Sequence, residues 1–294
     1  MQLLTTTEAA GYLRLKERKL YELVADGAIP CTKVTGRWLF PKAELDRWLA
    51  SRLVLPGGMP LPEPPPIVGG SHDPLLEWAL RESRSGLATL PEGSEAGLGR
   101  FSRGEVVAAA IHLHALEGEA VDANVEALRA QSDLRDAVLI AFLRREQGLL
   151  IAAGNPKRIS AVEDLAKTKA RVAVRPAGAG AQLLLLALLH RAGIKFDSLA
   201  IVSPPCATGP DVAQAIRAGR ADCGIATRAV AASAGLGFAP LLWERFDLVM
   251  RSRDYFRPPL QAFLGLLRGP ALAARARELG GYETSDAGGV RYAP

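Results

Sequence analysis

The chain has 294 residues, of which 49% are apolar. This length exceeds the usual size of one domain, so we expect two or three folding units, one of them with a large core. The formal net charge of +5 permits a polyanionic partner without establishing one. The three cysteines are scattered and lack CxxC spacing, which argues against a disulfide framework and against a zinc site.

Positive charge is densest at the N-terminus. Residues 1–54 contain nine Lys and Arg against six Asp and Glu, whereas the other 240 residues contain 27 against 25. We therefore expect contact with nucleic acid in this segment. The chain opens without a secretory signal. Its longest apolar run, Ala181–Leu189, is interrupted only by Gln182 and is far shorter than the roughly 20 residues that span a bilayer. These features predict a cytoplasmic protein without membrane contact.

Residues 1–54 have the pattern of a small domain with helices and a hairpin. The predicted elements are a helix beginning at Thr5–Glu8, a helix over Lys16–Ala25, a hairpin of Cys31–Val34 with Arg37–Phe40, and a third helix from Pro41 to about Ser51. Trp38 and Trp48 are predicted core side chains of this domain.

Four cations of this segment are candidate DNA contacts. The second helix would present Lys16, Arg18 and Lys19 to a major groove, while Arg37 on the hairpin would reach phosphate or the minor groove. The alternative is that each charge belongs to a solvated face of the domain.

A proline-rich run separates this segment from the rest. Leu55–Pro66 has six prolines in twelve residues, so it can continue neither a helix nor a central strand. We predict a semi-rigid linker over residues 55–66, between a domain at 1–54 and a larger one at 67–294.

In the larger domain, apolar runs typical of strands alternate with helical stretches. The strand candidates are Ile67–Gly70, Val106–Ile111, Val138–Phe142, Leu149–Ala153, Arg171–Val174, Leu199–Val202, Cys223–Ala226 and Leu248–Val249. This alternation favours an α/β fold with mainly parallel sheets, in which ligands bind at the carboxyl ends of the strands.

Small polar residues and glycines precede several predicted helices of this domain. They are Ser71, Ser94, the loop with Gly178 and Gly180, and Thr208. Helix N-termini that converge on a cleft would bind an oxyanion through backbone N–H groups, with few or no side-chain cations. The alternative is that Ser and Thr are ordinary helix caps and that the glycines form ordinary turns.

Three further side chains each have two interpretations. His72 could donate to a ligand or cap a helix, and His112 is more typical of a core or hinge histidine than of a ligand. Arg175 could neutralise an anion, or it could pair with Asp73 or Asp222.

The N-terminal pattern resembles the excisionase-like or MerR-like winged helix-turn-helix family over residues 3 to about 51. The matching stretches are Leu4–Leu13, Leu20–Leu23 and Gly36–Leu49. The resemblance implies double-stranded DNA as a partner. Because so small a domain offers few base contacts, we expect a homodimer on a palindromic operator.

Residues 67–294 resemble the cytoplasmic domains of the type 2 periplasmic-binding-protein-like fold that are fused to such units, relatives of molybdate- and tungstate-binding proteins. The matching stretches are Gly69–Pro74, Gly93–Leu98, Ala108–Leu113, Arg145–Leu149, Gly154–Pro156, Arg175–Gly180, Ala218–Gly224 and Glu244–Leu248. The resemblance implies two lobes, with crossovers near Arg144–Leu150 and Leu241–Leu248 and a second lobe over about 149–240. Where the transport proteins carry a tyrosine after a late strand, this chain has Thr227, which puts the ligand's identity in doubt.

These patterns predict a one-component transcription regulator that senses a small oxyanion, with molybdate or tungstate as effector and no cofactor or metal. The candidate ligand residues are Ser71, His72, Ser94, Arg175, Gly178, Gly180, Thr208 and Thr227. A small organic acid is the alternative effector. A non-regulatory solute-binding protein would not need the DNA-binding domain, and no nucleophile–base pair or metal-ligand cluster in the sequence indicates an enzyme.

Overall fold

The computed structural model describes residues 2–34, 36–51, 63–114 and 122–293. The chain divides into two compact units between Pro62 and Glu63. Of the predicted linker, residues 55–62 lie outside the described residues. Residues 63–66 belong to the second unit, where the N–H of Ala88 donates to the carbonyl of Pro66 at 3.0 Å.

The first unit is a helix-turn-helix with a small sheet. Its elements are β1 (Leu3–Thr5), α1 (Thr6–Leu13), α2 (Glu17–Ala25), β2 (Thr32–Val34), β3 (Arg37–Pro41) and α3 (Lys42–Ser51). The strands are antiparallel in the order β1-β3-β2. A capping box between Thr5 and Glu8 begins α1, and Arg14 ends it in the left-handed conformation.

The assignment of Pro41 to the third helix is wrong. Pro41 ends β3 opposite Leu3, and the helix begins at Lys42. Strand β1 has only three residues, too few for alternation to reveal it, yet its pairing keeps residue 41 extended.

The first unit has its own apolar core. The buried residues are Leu4, Ala9, Ala10, Leu20, Ile29, Phe40 and Leu45. Trp38 and Trp48 pack against them as predicted, and the indole N–H of Trp48 donates to the carbonyl of Ala28 at 2.7 Å. Leu20 is the buried residue of α2, so most of that helix faces outward.

The second unit is a two-lobed α/β domain. Its strands are β4 (Ile67–Gly70), β5 (Ala88–Pro91), β6 (Ala108–Ile111), β7 (Ala137–Ile151), β8 (Arg171–Ala173), β9 (Ala200–Val202), β10 (Cys223–Thr227), β11 (Gly237–Arg251), β12 (Tyr282–Glu283) and β13 (Val290–Tyr292). Its helices are α4 (Pro74–Glu82), α5 (Ser94–Ser102), α6 (Ala123–Arg129), α7 (Glu163–Lys167), α8 (Gly180–Arg191), α9 (Gly209–Arg217), α10 (Arg228–Ala234), α11 (Pro258–Leu267) and α12 (Pro270–Leu279).

The ten strands form one sheet in the order β5-β4-β6-β11-β7-β10-β8-β9, with β12 and β13 paired to β7. Strand β4 is parallel to β5 and β6, and β8 is parallel to β9 and β10, as the alternating pattern predicts. Strands β7 and β11 have 15 residues each and run antiparallel through both lobes. They form the two connections between the lobes.

The prediction of separate strands at 138–142 and 149–153 is corrected, because one strand spans most of both. Arg144–Gln147 interrupts the apolar run in the sequence, but in the fold it pairs with Leu242–Arg245. We call these two segments the crossing. Arg145 and Gln147 are buried there together with Glu244, and their polar groups contact one another.

Each lobe has its own apolar core on the faces of the sheet. Leu75, Phe142, Phe246 and Phe263 are buried in the first lobe, and Val172, Leu184 and Val212 are buried in the second. Among the described residues, no helix combines the length and apolarity needed to cross a bilayer.

Candidate functional site

A cavity of about 370 Å³, including its mouth, lies between the two lobes of the second unit. The first lobe contributes residues that follow β4 and β6, the crossing contributes β7, and the second lobe contributes the starts of α8, α9 and α10. The lining residues are Ser71, His72, Pro74, His112, Arg145, Gln147, Arg175, Ala179, Gly180, Ala181, Gly209, Ala226, Thr227 and Val230. The cavity is thus at the carboxyl ends of the parallel strands, where α/β folds bind ligands.

Helices α4, α8, α9 and α10 begin at this cavity. In α4, the side chain of Asp73 already accepts the N–H groups of Leu75 and Leu76. In α8, the N–H groups of Gly180 and Ala181 have no acceptor in the part of the chain that the structure describes. The start of α8 therefore offers unpaired donors and a partial positive charge to the cavity.

Arg175 is the cation of the second lobe at this cavity. Its Nε donates to the carbonyl of Cys206 at 2.9 Å and an Nη to that of Ala207 at 2.6 Å. Burial lowers its pKa to about 10, which leaves it charged at neutral pH. Carbonyls orient a guanidinium without neutralising it.

Arg175 pairs with neither of the carboxylates considered for it. Asp73 binds Arg145 at 2.8 Å, and Asp222 binds Arg171 at 2.8 Å. Within the described residues, Arg175 has no ion-pair partner, so its charge is available to an anion.

Arg145 differs because the protein neutralises it. Its side chain is 1% exposed, its Nη1 donates to Asp73 at 2.8 Å, and its Nε donates to Glu244 at 2.7 Å. Burial opposes its charge, but the two carboxylates raise its pKa above the ordinary value. The guanidinium also lies over the ring of Phe246, 4.1 Å from the centroid.

His112 directly follows β6 and lines the cavity. Its Nδ1 lies 3.0 Å from a carboxylate oxygen of Glu244. Burial lowers the pKa of His112 to about 4, so the ring is neutral at pH 7. Burial would raise the pKa of Glu244, but His112, Arg145 and the hydrogen bonds from two histidines hold it well below its usual range.

His112, His114 and Glu244 bring their ligand atoms within 4.8 Å of one another, which is a possible metal-binding set. Two histidines and a carboxylate are residue types that bind divalent metals. Glu244, however, already accepts hydrogen bonds from Arg145 and from Gln147. Both contacts are to Oε1, whereas His114 Nε2 lies 2.7 Å from Oε2. Because Arg145 already neutralises this carboxylate, we assign no metal to the cluster.

Ser94 sits behind Ser71 and positions it. The Ser94 hydroxyl oxygen accepts the N–H of His112 at 3.0 Å and lies 2.8 Å from the Ser71 hydroxyl oxygen. The Ser94 hydroxyl donates to the carbonyl of His112 at 3.2 Å, so its one proton is already used and the Ser71 hydroxyl can donate to Ser94. The start of α5 therefore lies behind the cavity lining and supports Ser71, which is part of it.

The other predicted ligand residues divide into those that line the cavity and those that do not. His72, Gly180 and Thr227 line the cavity, and the His72 Nε2 lies 3.2 Å from Glu77, while Asp73 caps the helix. Gly178 and Thr208 are not in the lining.

Gly178 and Thr208 have structural partners instead. The carbonyl of Gly178 accepts the N–H of Glu95 at 3.2 Å, a contact between the lobes. The hydroxyl of Thr208 donates to Asp211 at 2.7 Å, in the capping box of α9, and the neighbouring Gly209 reaches the cavity.

Sequence reasoning missed Arg145 and Gln147 as lining residues. The available signal was a run of four charged and polar residues, Arg144–Gln147, inside an otherwise apolar run. A buried charge in such a run needs a partner, which indicates a functional or connecting position.

In the first unit, all four predicted DNA contacts are exposed. Lys16 precedes α2, and Arg37 begins β3 beside the hairpin turn, whose residue Thr35 lies outside the described residues. Arg18 and Lys19 lie 3.5 Å and 3.0 Å from the carboxylate of Glu22. Tyr21, which sequence reasoning did not single out, is 49% exposed on the same helix.

Known proteins share both halves of this architecture. Residues 3–53 match the helix-turn-helix domain model, and residues 77–268 match the PBP superfamily domain model. The uncharacterized protein YvgK of Bacillus subtilis is 23% identical over 301 residues, covering 97% of this chain and 96% of YvgK.

Solved structures agree with the fold of the second unit. A tungstate ABC transporter protein from Geobacter sulfurreducens superposes with a TM-score of 0.52 at 14% identity, covering 72% of this chain and 97% of that one. The regulatory domain of a LysR family regulator from N. meningitidis gives 0.51 at 12% identity, covering 74% and 96%. The two family matches together indicate a ligand-binding transcription regulator. The chain belongs to the PBP superfamily domain family, with a helix-turn-helix domain at its N-terminus.

Proposed function

We propose that this protein is a cytoplasmic one-component regulator in which a small anion, bound between the two lobes, changes how the helix-turn-helix binds DNA. The observation that carries this proposal is the charge of Arg175, which no described carboxylate neutralises, beside the unpaired N–H groups that begin α8. A half-buried cation without a counter-ion is less well solvated than one in water, and an anionic ligand offsets that loss.

Two effector classes are candidates within this proposal. The sequence resemblance favours molybdate and tungstate. The lining groups at helix starts, those of Ser71, Gly180 and Thr227, together with Arg175, are of the types that bind an oxyanion. A small organic acid is the second candidate. It is favoured by the apolar lining atoms of Pro74, Ala226 and Val230, which a carbon skeleton can contact.

The DNA half of the proposal rests on the exposed cations of the first unit. Lys16, Arg18 and Lys19 lie on or just before the second helix of the helix-turn-helix, the one that enters the major groove in such domains. We propose that Arg37 contacts a DNA phosphate or the minor groove beside that helix. A homodimer on a palindromic operator would supply the contact area that a single small domain lacks.

The test couples the two sites in one measurement. Operators are first selected from random duplexes with the full-length protein, and the apparent Kd is then measured with and without molybdate, tungstate, sulfate, L-lactate or L-malate. We expect at least one anion to change the operator Kd by about 5- to 150-fold, the usual range of coupling.

Variants separate the two sites. Lys19→Ala and Arg37→Ala should weaken operator binding while leaving anion affinity unchanged, whereas Lys195→Ala, an exposed cation of the second unit, should leave both unchanged. If an anion stabilises the protein but the operator Kd stays constant, the protein is a binding protein without regulatory coupling, and the proposal is wrong.

A further inference from the structure

The cavity contains hydrogen-bond acceptors as well as donors. Gln147 lies on β7 at the crossing, is 2% exposed and lines the cavity. Its Nε2 donates to Glu244 at 2.8 Å, while its Oε1 is buried and has no donor among the described residues.

The orientation of this amide is set by its neighbour. Turning the amide over would place Oε1 against the carboxylate of Glu244, an ionised acceptor, so the nitrogen faces Glu244. Oε1 is therefore an acceptor without a partner, although buried acceptors are normally paired.

His112 supplies a second acceptor. The ring is neutral, and its Nδ1 lies against the carboxylate of Glu244, so the single proton belongs on Nδ1. Nε2 then carries a lone pair, and it has no donor within residues 63–114 and 122–293. His112 and Gln147 share the same carboxylate and both line the cavity.

A fully deprotonated oxyanion has no hydrogen to give these two acceptors. It would leave the buried Gln147 Oε1 and the His112 Nε2 without a donor, and its own oxygens would repel both lone pairs. A ligand with an O–H or N–H group satisfies them at no such cost.

We propose that the effector is a small anion that carries its own O–H or N–H donor, with Gln147 Oε1 and His112 Nε2 accepting that donor while Arg175 and the start of α8 bind the anionic group. This inference rests on the proposed function and chooses among its effectors. Two kinds of ligand combine an anionic group with such a donor. The organic kind is a 2-hydroxy or 2-amino acid, and the inorganic kind is hydrogen phosphate.

The test is a matched ligand series on the full-length protein by titration calorimetry. Propionate, L-lactate and L-alanine share one carbon chain and differ in one substituent, as do succinate, L-malate and L-aspartate. Sulfate, molybdate and hydrogen phosphate form the inorganic series. We expect a donor-bearing member to bind at least about tenfold more tightly than its bare counterpart, equivalent to about 1.4 kcal/mol.

A variant then assigns the preference to the acceptor. Gln147→Met keeps the length of the side chain and removes the acceptor, so the ratio between donor-bearing and bare ligand should fall towards one. The control is Gln261→Met on α11, whose amide donates to the carbonyl of Tyr255 outside the cavity and whose loss should leave the ratio unchanged.

The wild-type series decides the inference even if Gln147→Met does not fold. Equal affinity for bare and donor-bearing anions would overturn it, and so would an unchanged ratio in a folded Gln147→Met variant. If a bare anion such as molybdate binds tightly and changes the operator Kd, the inference fails and the proposed function stands. If no anion of any series binds, the proposed function itself fails.

Discussion

Replacing Gly180 by Ala should abolish closure around a ligand while sparing the fold. The first residue of α8 faces the end of β6 in the other lobe, and a Cβ on Gly180 would lie 2.2 Å from the carbonyl oxygen of His112 and 2.3 Å from its ring Cε1. Neither neighbour is the free end of a flexible side chain. The strain is relieved only if the lobes separate.

The size of the effect follows from this geometry. Overpacking in a close-packed site costs about 1–3 kcal/mol, and backbone contacts this short place the cost at the upper end. Because the strain exists only in the closed arrangement, it subtracts from binding, and 3 kcal/mol corresponds to a Kd about 100-fold weaker. The melting temperature without ligand should change little, since open lobes do not bring the two residues together.

The assay is a thermal-shift titration with the tightest-binding anion of the series above. Wild-type protein gains about 2.7 kcal/mol of stability when the anion exceeds its Kd a hundredfold. The variant should gain almost none at that concentration. Gly265→Ala on α11, where an added Cβ meets nothing within 4 Å, is the matched control and should respond like wild type. A wild-type Kd in Gly180→Ala would refute the contact between the lobes.

Three further outcomes follow from the charges. Arg175→Gln should weaken anion binding at least about tenfold, whereas Arg171→Gln, which removes a surface pair with Asp222, should not; equal losses by calorimetry would contradict the role of Arg175. The pKa of His112 is about 4 in the folded protein and near 6.5 in the unfolded chain, so the unfolded chain takes up a proton first as the pH falls. The free energy of unfolding is therefore highest above pH 6.5 and decreases by at most about 3 kcal/mol as the pH falls towards 4. Urea unfolding at several pH values should therefore show a smaller decrease in the free energy of unfolding for His112→Asn than for wild type. The same decrease in both proteins would contradict this. Glu22→Gln should tighten operator binding about threefold by fluorescence anisotropy, because it frees Arg18 and Lys19, and weaker binding would contradict it.

Local patterns in the sequence were sufficient for most of the helices and the buried strands. Helix starts follow from caps such as Thr5 with Glu8, and the buried parallel strands follow from apolar runs bounded by turns. The strands β5, β12 and β13 are short and partly exposed, so their composition carries no such signal. The continuity of β7 was hidden because charged residues in its middle resemble a break.

In the site, too, residues marked by a local pattern could be predicted, whereas residues defined by a distant partner could not. The helix-start rule located Ser71 and Gly180, since a small residue before a helix is visible in a few letters of sequence. Arg145 and Glu244 could not be assigned, because each is intelligible only through a partner 99 positions away in the chain. Pairing along the whole of β7 and β11 is what brings them together.

The placement of ligand-binding groups in both lobes explains why binding and closure should be coupled. Arg175 and the start of α8 belong to the second lobe, whereas Ser71 and His112 belong to the first. A ligand shifts a conformational equilibrium only by the difference between its affinities for the two states. An anion held by the second lobe alone would bind open and closed forms equally and would switch nothing. One that also satisfies groups of the first lobe binds the closed form more tightly, so the effector is defined by what it offers His112 and Gln147 as well as by its charge.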